Sequence, residues 1–190
     1  AILWNIDTGM VIFITWLLLL IYYELEHGFC KIWLLRVLRH ILFGVSILTT
    51  VLALYSLYIN FRYGNWPDFR ELFYFQKAYY VYGFFMIPMP KWHPWILIVL
   101  IYFVGLSYSL RCLLLKNITT KAKCIFMLSV LGVGIFSYYQ GRSHNGCLKP
   151  IVYPAILLML IFADDLYHFV IQKRTPFRYK WGQFLIFGIL

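Results

Sequence analysis

The chain has 190 residues, of which 63% are hydrophobic, 21% aromatic and 13% charged. Soluble domains are only about half apolar and about a quarter charged, so this composition excludes an ordinary soluble domain and indicates an integral membrane protein. The 17 Lys and Arg residues against 7 Asp and Glu residues give a formal charge of +10. These bases fall between apolar stretches and form no continuous basic face, which argues against a nucleic-acid partner.

Five stretches of the chain are apolar and long enough, with their uncharged flanks, to cross a bilayer about 30 Å thick. They lack two-residue alternation, which favours helices over barrel strands. In chain order they cover residues 8–23, 41–61, 95–115, 124–139 and 151–169, and residues 184–190 resemble the start of a sixth. We therefore expect an all-α, polytopic transmembrane helix bundle forming one domain over residues 1–190. Because the sequence begins at Ala1 and its last apolar run is short, we expect a fragment of a longer polytopic chain.

The basic residues predict which side of the membrane each connection faces. Eleven of the 17 Lys and Arg residues lie around the connections after spans one, three and five, and six lie after spans two and four. Because basic residues concentrate in cytoplasmic loops, the first set is expected inside the cell. The amino terminus, residues 62–94 and the turn around residue 142 are then extracytoplasmic, in a multi-pass protein of the cell membrane.

The longest outer connection, residues 62–94, is dense in Tyr, Phe and Trp. A Pro followed by acids at Trp66-Pro67-Asp68 is typical of a helix start. We expect a helix from residue 67 to about residue 82, lying in the membrane interface with its rings at headgroup depth. It could hold a lipid-linked substrate; the alternative is a re-entrant or merely aromatic loop.

Cysteine and histidine patterns predict neither a disulfide nor a metal site. Only Cys147 falls on the outer side, and the chain has no Cys-x-x-Cys motif. The five His residues lack the close spacing of a zinc site on one helix. No cofactor is therefore predicted from these residues.

The most polar connection is YYQGRSHNGCLKP, residues 138–150, between the fourth and fifth spans. Its candidate ligands are Arg142, Ser143, His144, Asn145 and Lys149. Gly141 and Gly146 predict backbone conformations closed to other residues. Arg142 offers a planar fork of donors for a phosphate or carboxylate, and His144 can exchange a proton near neutral pH. The alternative is a solvated turn in which Arg142 and Lys149 interact with lipid headgroups.

Two further polar groups flank the spans. Before the first span, Asp7 is a candidate general base or metal-binding carboxylate, and Asn5 is a candidate substrate ligand; helix capping is the alternative for Asp7. At the inner end of the fifth span, Asp164 and Asp165 precede His168. A solvated, ion-paired helix end is the favoured interpretation there, and a proton or cation path is the alternative.

Together, the NIDTG and YYQGRSHNG stretches resemble the GT-C class of bacterial polytopic membrane glycosyltransferases. The resemblance implies use of a polyprenyl-phosphate-linked sugar at the extracytoplasmic face, where the charge count independently places both stretches. It implies catalytic roles for Asp7 and His144, with Arg142, Ser143, Asn145, Lys149 and Asn5 binding the substrate. An acid of an early outer loop is the catalytic base or binds a metal in this class, so a divalent metal stays open. No such loop with an Asp pair is present, which points to a catalytic acid before Ala1.

The alternative is a non-catalytic membrane subunit, or a transporter segment, that packs against partner helices or lipid. Small residues such as Gly132 and Gly134 permit close contact between helices. Polar groups near the middle of the spans are few, which argues against an ion path. The partners expected from the sequence are therefore the membrane, a lipid-linked sugar or other anionic lipid, and neighbouring membrane helices.

Overall fold

The computed structural model describes residues 6–25, 31–83 and 87–171, and within them the chain is helical without a strand. The elements are α1 (Ile6–Leu25), α2 (Lys31–Tyr63), α3 (Phe69–Gln76), a π-helical turn (Lys77–Val81), α4 (Trp95–Leu114), α5 (Thr120–Gly141) and α6 (Asn145–Ile171). All but α3 and the π-helical turn are long and apolar enough to cross a membrane. The predicted all-α bundle is confirmed, and the chain is a multi-pass membrane protein. Residues 184–190 lie outside the described residues.

Four of the five spanning helices extend beyond the predicted spans, and α4 ends one residue earlier than predicted. The largest difference is at α2, which begins at Lys31 rather than at residue 41, so Arg36 and Arg39 lie on a helix and not in a loop. At about 1.5 Å per residue, its 33 residues are longer than a hydrocarbon core of about 30 Å, so the basic first turns can extend past the core. Apolar runs define the buried length of a helix, whereas long basic side chains let the helix continue into water.

Helices α4, α5 and α6 form the core of the bundle, and Tyr102 of α4 joins all three. Its ring is fully buried and occupies the space that a side chain at Gly132 of α5 would fill. Its hydroxyl donates to the carbonyl of Ile151 in α6. Pro154 lies three residues further along α6. It has no N–H to donate to the carbonyl of Pro150, so the helix ladder is already interrupted beside the carbonyl that accepts from Tyr102.

Helix α1 packs antiparallel against α5. Near its start, Val11 contacts the backbone of α5 at Gly134, where an added Cβ would lie 2.5 Å from the valine Cγ1. Near its end, the Tyr22 ring stacks on Phe126 with centroids 4.3 Å apart, and the Tyr22 hydroxyl donates to the Ser109 carbonyl at 2.8 Å. The start of α1 therefore lies at the end of the bundle where α5 turns into α6.

Helix α2 has a different environment, since it packs mainly against α1. The two helices pack closely at Gly44, where an added Cβ would lie 3.2 Å from the rings of Phe13 and Trp16. Most of its remaining surface is exposed and apolar, with Leu54 62% and Phe61 94% exposed. In a bilayer this surface faces lipid or another helix.

The outer connection contains the helix expected there. Asp68 is the N-cap of α3, and its side chain accepts a hydrogen bond from the backbone of Arg70 at 2.8 Å. This contact satisfies one of the open amides of the first turn. The helix continues through the π-helical turn to Val81, and Phe73 and Tyr74 are exposed. The predicted helix is confirmed within residues 69–81, and its position in the interface stays a prediction.

Candidate functional site at the turn between α5 and α6

The polar stretch of residues 138–150 is mostly helical, which corrects the expectation of a glycine-rich loop. Helix α5 runs to Gly141 and α6 begins at Asn145, so only residues 142–144 form the turn. Among the described glycines, those with positive φ are Gly64 and Gly83, so Gly146 does not supply a left-handed backbone. Gly146 instead leaves space for the His144 ring, since an added Cβ would lie 2.8 Å from Cε1 of that ring.

His144 caps the start of α6. Its Nδ1 accepts a hydrogen bond from the backbone N–H of Gly146 at 3.0 Å, and its carbonyl accepts from the N–H of Cys147 at 3.0 Å. In the neutral imidazole, an accepting Nδ1 leaves the proton on Nε2, which lies 3.0 Å from Sγ of Cys147. Both ring nitrogens thus stabilise the helix start, and proton exchange by His144 would require the cap to open.

Arg142 is held by the last turn of α5. Its Nη1 donates to the hydroxyl of Tyr138 at 2.9 Å, and Cζ lies 4.8 Å from the centroid of the same ring. A guanidinium over an aromatic face gains a cation–π interaction. The side chain is half-buried, so the planar donor fork is fixed in position at the end of the bundle.

The other predicted ligands divide into two groups. Ser143 is buried, and its hydroxyl donates to the carbonyl of Tyr139 at 3.1 Å, so it closes the end of α5. Asn145 and Lys149 lie on the first turns of α6 with exposed side chains. The predicted ligands of this turn that are accessible to a ligand are therefore Arg142, Asn145 and Lys149.

Residues 87–93 of the outer connection lie against this turn. Ile87 forms an isolated parallel backbone bridge with Arg142, and Nδ1 of His93 lies 3.3 Å from the hydroxyl of the buried Tyr139. Sequence reasoning assigned no role to His93, Tyr138 or Tyr139. For Tyr138, the available signal was a tyrosine four residues before an arginine, a spacing at which two side chains can meet near the end of a helix.

The amino-terminal candidates lie at the same end of the bundle as far as the structure describes them. Asp7 is the second residue of α1, where an acidic side chain is favoured by the helix dipole. Val11, one turn later, meets Gly134 of α5, and Tyr138 is one turn beyond Gly134. Because the helices are antiparallel, the backbone of Asp7 is level with Tyr138. Asn5 lies outside the described residues.

The opposite end of the molecule has a polar cluster that sequence reasoning missed. Glu24, in the last turn of α1, is buried, and its Oε1 lies 2.9 Å from Nε2 of His40 on α2. Its Oε2 lies 3.5 Å from Nη1 of Arg36. The available signal was an acid near the end of one apolar span, followed by an Arg and a His at i, i+4 spacing at the start of the next helix.

The acids of α6 lie at this end as exposed side chains, and Asp165 is ion-paired there, as expected. Asp165 lies 2.5 Å from Nζ of Lys121 on α5, and Asp164 lies 3.5 Å from His168. Within the described residues, no group of three or more His, Cys, Asp and Glu side chains could hold a metal ion, and Cys112, Cys124 and Cys147 are free thiols.

The turn between α5 and α6 thus combines a fixed guanidinium, two exposed polar side chains and a capped helix start, beside the start of α1. This arrangement can bind an anion at the membrane surface. Comparisons of the chain with protein-family models, with curated proteins and with solved structures find no match.

Proposed function

We propose that this chain is an integral membrane glycosyltransferase, or part of one, that uses a lipid-linked sugar at the extracytoplasmic face. The observation that carries the proposal is the packing of α1 against α5. It brings the backbone of Asp7 level with Tyr138, the residue that holds Arg142. An acid and an anion-binding base then share one end of the bundle, as transfer from a phosphate-linked donor requires.

In the proposed reaction, the bond between the sugar C1 and the phosphate oxygen breaks, and a bond from the acceptor oxygen to C1 forms. The acceptor proton passes to the carboxylate of Asp7 or of another acid at this face. The departing polyprenyl phosphate keeps the electron pair, and its negative charge is stabilised by Arg142, with Lys149 as a second cation. A donor fixed in place before the reaction stabilises this charge without reorganisation, which is the contribution of Tyr138.

The remaining residues have supporting roles in this proposal. Asn145 is exposed beside Arg142 and can position a phosphate oxygen or a sugar hydroxyl. His144 acts by capping α6, and Ser143 by closing α5. Exposed aromatic residues of α3 such as Phe73 and Tyr74 would lie beside the isoprenoid tail. A divalent metal at the acid would strengthen the attack on C1 without changing these roles.

The test measures release of polyprenyl phosphate from radiolabelled polyprenyl-phosphate sugars by the full chain in proteoliposomes. Arg142→Ala should lower the rate by about 10²-fold, as loss of a charge-stabilising donor does in other enzymes, and Tyr138→Phe should lower it less because the ring remains. Arg70→Ala, which removes an exposed arginine of α3, is the matched control and should retain the rate. A normal rate for Arg142→Ala would overturn the site assignment, and a wild-type chain that consumes no donor would overturn the enzyme proposal.

The second candidate is a non-catalytic membrane subunit, which the environment of α2 favours. This helix packs mainly against α1 and leaves apolar side chains such as Leu54 and Leu57 more than half exposed. A partner helix could cover them. Purification in native lipid particles separates the two candidates, since a subunit should remain in a complex of fixed stoichiometry and release no polyprenyl phosphate.

A further inference from the structure

The cluster around Glu24 joins α1 to α2 at the end of the molecule opposite to the proposed site. The Glu24 side chain is 8% exposed, and its two oxygens face different partners on α2. His40 approaches Oε1 at 2.9 Å and Arg36 approaches Oε2 at 3.5 Å. Ionisable groups within membrane helices are rare and are usually functional, and the proposed transfer reaction does not use this one.

The cluster is the polar part of the contact that holds α2 to the rest of the protein. Arg36, His40 and Gly44 are spaced by four residues, so they follow one face of α2. Gly44 makes the close apolar contact with α1, and Val37 is buried on the same side. One half of the contact is therefore insensitive to charge, and the other half depends on it.

The charged groups around Glu24 come from two other helices. Helix α2 supplies Arg36 and His40, and its Arg39 is exposed. From α5, Lys123 lies over the ring of the adjacent Tyr23, with Nζ 4.2 Å from the centroid. The Glu24 carboxylate thus has ion-pair contacts with Arg36 and His40 of α2.

Protonation of Glu24 would remove the charge attraction that holds this cluster together. An ionised Glu24 attracts both partners, and a buried charge is stable only when it is paired in this way. A protonated Glu24 has no charge to pair with the guanidinium of Arg36. An unpaired cation would then lie beside an apolar contact, and water would solvate it better than the neutral acid does.

We propose that Glu24, His40 and Arg36 form a proton-sensitive latch that holds the first turns of α2 against α1 while Glu24 is ionised and releases them when it is protonated. Helix α2 is continuous from Lys31 to Tyr63, so a displacement of its first turns also reorients its far end. That end leads into the connection whose residues Ile87 and His93 contact the turn at Arg142 and Tyr139. The latch would thereby couple the protonation state of Glu24 at one end of the molecule to the geometry of the turn between α5 and α6 at the other end.

The experiment measures distances between spin labels by electron–electron double resonance, on the full chain in lipid nanodiscs with its native cysteines replaced by Ser. One label pair joins exposed positions of α1 and α2, Ile14 and Leu54, and a control pair joins α4 and α5 at Leu100 and Val133. Lowering the pH from about 7 to about 3, to below the ordinary range of a Glu carboxyl, should change the first distance by about 2 Å or more. The control distance should stay constant.

Glu24→Gln mimics the protonated acid and should show the acidic distance at every pH. Asp165→Asn is the matched control, because it removes an acid of an exposed ion pair at the same end and should keep the wild-type response. An unchanged α1–α2 distance in Glu24→Gln would overturn the latch, as would a wild-type distance that is constant with pH. Broadening of both label pairs in Glu24→Gln would overturn it as well, because the cluster would then hold the whole bundle together.

Discussion

The α4–α5–α6 bundle and helix α2 are both apolar, yet they are held by different interactions. In the bundle, Gly132 lets the Tyr102 ring approach the backbone of α5, and the tyrosine hydroxyl donates to a carbonyl of α6. Helix α2 is attached through Gly44 and through the ion pairs of Glu24. The first kind of contact uses shape and neutral hydrogen bonds, and the second adds charge.

This difference indicates which contacts between membrane helices are rigid and which can respond to a change in protonation. Lipid is as apolar as the side chains that it surrounds, so helices associate through close packing and hydrogen bonds rather than through the hydrophobic effect. Neutral contacts of this kind do not respond to protons or salt. A contact completed by a carboxylate does respond, and the predictions below separate the two.

The largest effect is expected for Gly132→Ala. The added Cβ would overlap the buried Tyr102 ring, which has no space to move because it lies between α5 and α6. Overpacking of this kind destabilises by about 1–3 kcal/mol. Detergent-induced unfolding followed by circular dichroism measures the loss, and Val133→Ala, at the neighbouring exposed position, should have little effect. Equal stability of the two variants would contradict the packing described here.

A smaller effect is expected for Tyr102→Phe, which removes the hydroxyl that donates to Ile151 and keeps the ring. Hydrogen bonds between membrane helices contribute about 0.6 kcal/mol on average and up to about 1.7 kcal/mol. The same unfolding assay should show a loss in this range. Tyr153→Phe is the matched control, since Tyr153 is exposed on α6 and should tolerate the change. A loss of stability of the same size in Tyr153→Phe would contradict a specific contribution of the Tyr102 hydroxyl.

The sequence predicts the spans well, because continuous apolar runs have few alternatives to a membrane helix. It also predicts the helix near Pro67 from the Pro and the acids at its start, although the helix begins two residues later, with Asp68 as its N-cap. It predicts the start of α2 poorly, because residues 31–40 mix bases with apolar residues and hydropathy does not distinguish a helix that continues into water from a loop.

The candidate site was only partly visible in the sequence, because its geometry depends on neighbours that are distant along the chain. The polarity of residues 142–145 indicated a site. The sequence alone does not distinguish a flexible loop from the helix cap that His144 makes with Gly146. The adjacency of α1 and α5 has no local signal at all. The Glu24 cluster was missed for the same reason. The role of an acid in a span depends on the residues of the helix that packs against it, and the local sequence does not identify that helix.

For α2, we expect Gly44→Ala to act on position more than on stability. The new methyl group would lie 3.2 Å from the rings of Phe13 and Trp16, so α2 must move away by a few tenths of an ångström. Ala favours a helix over Gly by about 0.5–1 kcal/mol, which offsets part of the strain. The unfolding free energy should therefore change little, while the distance between labels on α1 and α2 increases. A large loss of stability would mean that α2 is held as tightly as the bundle.

The smallest effect is expected for Ser129→Ala in the centre of the bundle. The Ser129 hydroxyl is buried and has no hydrogen-bond partner among the described residues, so removing it relieves an unsatisfied polar group and should leave stability equal or up to about 1 kcal/mol higher. Ser109→Ala is the matched control on α4, because that hydroxyl lies 2.9 Å from the carbonyl oxygen of Gly105 and 3.2 Å from that of Ala122. The control should lose stability in the unfolding assay. If Ser129→Ala loses as much, then its hydroxyl has a partner inside the bundle, and the bundle is held by one more hydrogen bond than its shape implies.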